Sequence, residues 1–206
     1  MKKIAIASLI LAWIATAAYA QVSGRPVSAQ PKCPATEADS PSVRGIRLGM
    51  TVDQVLALFP AGIKRKEVKD AVEKAKAAKS SETVYISFNP ATDSGDQQFA
   101  EVGAVSVGTH KGRVVDLGVQ YVGPAWNSID EWIGKLSEAF NLPSARDWVA
   151  GPDETPNKVL KCGGIEIEGE IQGGGGSIRI RNTEYLKGME EHTNAQEEKK
   201  KRAFKP

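Results

Sequence analysis

The spacing of hydrophobic and polar positions changes several times along the chain, and each change marks an element. Val52, Val55, Leu56 and Phe59 recur at helical spacing. Thr51 stands just before them with Gln54 three residues on, the form of a capping box, and Pro60 ends the run. Ahead of this helix, residues 45–50 alternate as a short strand does. Residues 64–79 make a second helical stretch whose stripe, Val68, Ala71, Val72, Ala75 and Ala78, is narrow and rich in alanine. The period then drops to two. Val84, Ile86 and Phe88 share one face of a strand over 83–88, with Thr83, Tyr85 and Ser87 on the other. Strands over 99–109 and 113–122 follow, joined by a turn at His110-Lys111-Gly112, and Val115, Leu117, Val119 and Tyr121 share a face of the later strand.

A helical period returns behind Ser128, which has Glu131 three residues on. Ile129, Trp132, Ile133, Leu136 and Phe140 line one face, and Asn141-Leu142-Pro143 ends the helix. Residues 144–157 read as a loop carrying Trp148. Short strands are predicted over 158–162, 165–172 and 177–182, with a glycine turn at 173–176. In the middle one, Ile165, Ile167 and Ile171 oppose Glu166, Glu168, Glu170 and Gln172. From Glu184 onward the chain reads as a polar helix grading into a charged helical or disordered tail, 184–206. Helices and strands are segregated, so the fold class is α+β: an antiparallel sheet with helices packed on one face. The globular part is 43–183. Two tandem helix-plus-three-strand halves, 43–122 and 123–183, and one continuous sheet fit the pattern equally.

The first 42 residues belong to no packed element. Lys2 and Lys3 precede an uncharged apolar run over 4–17, and Ala18 and Ala20 supply the small residues that signal peptidase accepts. Residues 1–20 are therefore expected to be a signal peptide cut after Ala20, because the apolar run is short of the ~20 residues that span a bilayer. The expected location is periplasmic or secreted, with no membrane span later in the chain. Residues 21–42, rich in Pro, Ser, Gln and Ala, read as a disordered linker. The whole chain has 27 Lys+Arg and 25 Asp+Glu, and two of those lysines lie in the signal peptide. The exported part is formally neutral, which argues against nucleic acid as a partner. Of chain features suited to an oxidising compartment, the two cysteines stand out: Cys33 and Cys162 are expected to form a disulfide.

The segment Leu48-Gly49-Met50-Thr51-Val52-Asp53-Gln54-Val55-Leu56-Ala57-Leu58-Phe59 resembles a recurring exported motif, Gly-Met-Thr/Ser-x-x-Gln/Glu-Val-x-x-Leu. It is similar to segments of small extracytoplasmic α+β modules, among them the β-lactamase inhibitor protein family and the small lipoprotein of the outer-membrane barrel-assembly machine. The resemblance covers about 12 residues of 206. It implies a helix pair on an antiparallel sheet and a protein-binding role. This chain departs from the pattern in having no lipobox cysteine and no Gly-Met-Thr in its second half.

Catalytic motifs do not emerge. No G-x-S-x-G or H-E-x-x-H occurs, and the two histidines, His110 and His192, fall in a predicted turn and a polar tail. No catalytic, metal or cofactor residues are expected. The four glycines at 173–176 precede a strand, whereas a phosphate loop precedes a helix. Glu166, Glu168 and Glu170 face Arg179 and Arg181 as cross-strand charge pairs do on a solvated face. Tyr121 at a strand end, Trp126 before a helix and Trp148 in a loop form the candidate binding surface, since aromatics at such places serve as anchors. The basic cluster at 199–202 is suited to touching an anionic surface. The sequence thus points to an exported non-catalytic module binding a protein or a cell-envelope component. A carboxylate-dependent extracytoplasmic hydrolase is the alternative, and a structural protein held by its basic tail is a third reading.

Overall fold

The computed structural model describes residues 32–77, 83–152, 155–173 and 175–203. The expected signal peptide, its cut after Ala20 and the first part of the expected linker lie outside the described residues. Seven strands form one antiparallel sheet: β1 (Val84–Phe88), β2 (Val102–His110), β3 (Arg113–Tyr121), β4 (Val149–Ala150), β5 (Asn157–Cys162), β6 (Ile165–Gln172) and β7 (Gly175–Asn182). Their spatial order is β1-β2-β3-β7-β6-β5-β4. The fold is α+β. The two halves of the chain share a single sheet, because β3 pairs with β7 across the middle.

Register explains the core. Ile86, Val107, Leu117, Ile180, Ile167 and Leu160 are paired in turn from β1 to β5, so one apolar row crosses the sheet. Phe88, Val105, Val119 and Ile178 make a second row beside it. Helices α1 (Val52–Leu58), α2 (Lys66–Ala77) and α4 (Ile129–Phe140) bury Val52, Val55, Val68, Val72, Trp132, Ile133 and Leu136 in the same core. Phe59, just past α1, stacks on Phe88 with ring centroids 4.3 Å apart.

Helices α1 and α4 start where their caps allow. Thr51 Oγ1 accepts from Gln54 N and the Gln54 side chain accepts from Thr51 N, a complete capping box. At α4 the box is half made. Ser128 Oγ accepts from Glu131 N, but the Glu131 carboxylate accepts instead from Asn127 N. Asn141 then closes α4 in a left-handed conformation. The helix sits close on the sheet because β7 carries Gly176 beneath it. A Cβ there would lie 2.6 Å from the Trp132 ring. Trp132 also donates its indole N–H to Ser177 O at 2.8 Å.

Four elements differ from the sequence expectation. Residues 45–50 are not a strand. Arg44 and Gly45, with φ of 52° and 83°, turn the chain so that Val43 and Ile46 bond each other. Gly49 N then donates to Val114 O and Val114 N to Met50 O, so the segment leans on β3 by isolated bonds. A short helix α3 (Pro90–Asp93), capped by Asn89, follows β1 where the sequence showed no periodic apolar stripe. Val149 and Ala150, inside the expected loop, pair with Val159 and Lys158 as an edge strand. From residue 32 on, the expected linker is packed against the body. Lys32 N donates to Asn141 O, Gly164 N to Ala35 O at 3.1 Å, and Asn182 Nδ2 to Glu37 Oε1 at 2.6 Å. Proline and small polar residues carry no periodic apolar signal, so these tertiary bonds had no sequence mark.

The sheet edges are blunted. β4 has two residues, and on β1 the Ser87 carbonyl accepts from Arg65 Nη2 at 2.8 Å. The N-terminal segment is also held covalently: Cys33 and Cys162 form a disulfide across a sequence separation of 129, with Cα atoms 5.3 Å apart. Closing so long a loop removes much unfolded-state entropy. Replacing both cysteines with alanine is expected to lower the unfolding free energy by about 4–5 kcal/mol. The check is the urea midpoint of the double variant against the oxidised parent, and equal midpoints would contradict it.

Candidate functional site: an aromatic cleft beside an open sheet face

The face of the sheet away from α1, α2 and α4 follows the same register. Ser87, Ser106, Gly118, Arg179, Glu168 and Val159 make one row across it. Tyr85, Gly108, Asp116, Arg181, Glu166 and Lys161 make the next. Small side chains in the middle strands leave a shallow hollow of about 660 Å³. Its charges are largely spent on one another. Arg181 Nη2 donates to Glu166 and Glu168 at 2.7 Å each, the cross-strand pairing expected of these residues. Arg179 reaches instead to buried Asp116 on β3, with Nε donating to Oδ1 at 2.9 Å. That bidentate contact pushes the guanidinium pKa further up. Tyr85 donates to Asp116 Oδ2 at 3.1 Å, and Asn157 Nδ2 to Glu168 at 2.9 Å.

One corner of this face is closed by the start of α5 (Thr183–Ala203). Tyr185 lies against His110, with ring centroids 4.8 Å apart. His110 is the last residue of β2, and Lys111-Gly112 alone form the turn. Its Nδ1 is buried without a hydrogen-bond partner among the described residues, and desolvation, helped by Lys111, pushes its pKa down. The basic residues 199–202 lie exposed at the far end of α5.

On the helix side of the sheet, at the end of β3, lies an aromatic cleft of about 610 Å³. Tyr121 ends β3, Trp126 sits in the loop before α4, and Trp132 on α4 lies between them. Trp132 is 5.5 Å from the Tyr121 ring, edge-on, and 5.1 Å from Trp126. Trp132 is buried, whereas Tyr121 and Trp126 are half-buried and line the opening with Pro124 and Phe140. Arg44, Glu101, Lys135 and Glu138 stand around it. The Arg44 guanidinium carbon is 5.9 Å from the Tyr121 ring centroid. Burial pushes the Tyr121 pKa up, opposed by Arg44. Arg44 and Glu101 have φ of 52° and 67°, a left-handed backbone that residues other than glycine adopt at a cost.

The structure therefore brings Tyr121 and Trp126 together and leaves Trp148 out. Trp148 is 3% exposed in the core, and its indole N–H donates to Pro143 O at 3.2 Å. Its loop position suggested a surface anchor, but a ring whose only donor is satisfied internally gains more from burial. Trp132 and Phe140 were legible only as the inner face of a helix. Arg44 and Glu101 had no sequence signal, because their place at the cleft comes from backbone conformation. Among the described residues, no group of three or more His, Cys, Asp or Glu is placed to hold a metal ion, and no helix is long and apolar enough to cross a membrane. No protein-family model, curated protein or solved structure matches the chain.

Burial pushes the Tyr185 pKa up to about 12, against an ordinary 10.0. Folding thus favours the neutral phenol, and its contribution to stability is complete below pH 10 and lost as pH rises through about 12. Tyr185→Phe removes that part of the alkaline loss. It also costs nothing at neutral pH, because the hydroxyl is buried with no hydrogen-bond partner among the described residues. Urea midpoints of parent and variant across this range test both points. A variant that is weaker at pH 7, or that keeps the full alkaline loss, would contradict them.

Proposed function

We propose that this chain is an exported, non-catalytic module that binds another protein or a cell-envelope component through the aromatic cleft. The observation that carries this reading is the half-exposed pair Tyr121 and Trp126, braced on buried Trp132 and ringed by four charged side chains. Rigid aromatics in a concave setting make strong anchors because they bring large area at little entropic cost. The Cys33–Cys162 disulfide fits an oxidising compartment, and the resemblance of residues 48–59 to exported binding modules points the same way.

The buried carboxylates support a binding role over acid–base chemistry. Asp93 and Asp116 are each held by a guanidinium, from Arg65 and Arg179 respectively, and each takes further hydrogen bonds. Groups so engaged are committed to holding the fold together.

Incubating residues 21–206 with separated soluble, membrane and cell-wall fractions of the native envelope tests the proposal. One fraction is expected to retain the protein, and Trp126→Ala to retain it at least tenfold less. Retention that ignores this substitution, or turnover of hydrolase substrates by the purified chain, would sink it.

A further inference from the structure

We infer that the aromatic cleft is a binding site for a neutral glycan. This rests on the reading of the cleft as the binding site and names its ligand class. The cleft combines two kinds of surface. Tyr121, Trp126 and Phe140 offer aromatic rings, whose electron-rich faces attract the C–H groups on the flat side of a sugar ring. Around them stand two cations, Arg44 and Lys135, and two carboxylates, Glu101 and Glu138, with Lys135 Nζ donating to Glu138 Oε2 at 3.3 Å on the exposed face of α4. Sugar hydroxyls both donate and accept, so guanidinium and ammonium donors and carboxylate acceptors serve them together.

The same charges count against other ligands. The four sum to zero, so a strongly charged ligand meets as much opposition as attraction. A quaternary ammonium or lysine-like cation is further disfavoured because Arg44 already stands 5.9 Å from the Tyr121 ring. An extended peptide meets no free strand edge at the cleft. Tyr121 pairs with Val102 of β2, Gln120 beside it pairs with Ser177 of β7, and Val122 N already donates to Glu101 O at 2.8 Å. The volume, about 610 Å³, lies within the ~300–1,000 Å³ of small-ligand clefts. Arg44 and Glu101, which carry half of the rim charge, sit on left-handed backbone, the kind of strain that accumulates at ligand sites.

The test is a titration of residues 21–206 with neutral trisaccharides of the chito, cello and malto series, read by tryptophan emission. At least one series is expected to give a saturable change whose midpoint does not shift with salt, because no net charge is exchanged. Trp126→Ala is expected to weaken it at least tenfold. Lys135→Met, on the exposed face of α4, serves as a second variant should the first fail to fold, and is expected to weaken binding several-fold. No saturable change in any series, or one indifferent to both substitutions, would overturn the glycan assignment. If the sugars fail but one envelope fraction still retains the protein in a Trp126-dependent way, the binding-module reading stands without the glycan. If neither sugars nor fractions bind, both fall.

Discussion

The rest of the structure depends on the alignment of one apolar row across the sheet, from Ile86 through Val107, Leu117, Ile180 and Ile167 to Leu160. Side chains alternate between faces along a strand, so a register slip of one residue anywhere in the row would turn a hydrophobic set toward solvent. Keeping the row on one side sends most of the charged partners to the other. The helix face becomes the core, and the opposite face becomes a field of small and charged groups. That opposite face is then obliged to neutralise itself, which it does through Arg179 on Asp116 and Arg181 on Glu166 and Glu168. Buried Asp116 without Arg179 would be an uncompensated charge, a change that is strongly destabilising.

The cleft is a by-product of how α4 meets this sheet. Gly176 and Gly169 let Trp132, Ile133 and Leu136 approach the backbone of β6 and β7 closely. That depth puts the Trp132 indole against Ser177 O and leaves its ring as the wall against which Tyr121 and Trp126 lean. The turn at Arg44 and Glu101, just before β2, then bring in charge from two distant parts of the sequence. The disulfide and the bonds of residues 32–40 secure the other end of α4, where Lys32 N meets Asn141 O. One helix is thus fixed at both ends, with the cleft along its flank.

Much of the architecture was legible in the residue pattern, and the reason is physical. Alternation in 84–88, 113–121 and 165–172 and the helical period of 129–140 report burial on one face, which is local to each element. The capping box at Thr51 and Gln54 is equally local. Elements without such a signal were missed: α3 is a single short turn, β4 is two residues, and the 45–50 alternation lost to a left-handed turn at Arg44-Gly45. The candidate site was half legible. Tyr121 was visible as the ring that ends a strand's apolar face and Trp126 as an aromatic outside any stripe, and by that last criterion Trp148 was indistinguishable from Trp126.

The sequence by itself determined the class of fold, the disulfide partners once only two cysteines were present, and two rings of the cleft. These follow from composition and short-range periodicity, which act within a turn or a strand. Only the tertiary structure decided that both halves share one sheet, that Trp148 is core, that Arg179 serves Asp116, that Arg44 stands over Tyr121 and that Glu101 lines the same cleft. Each of those depends on which strand lies beside which and on how closely α4 settles. Contacts between residues far apart in the chain are set by packing the whole core at once, and no local pattern carries them.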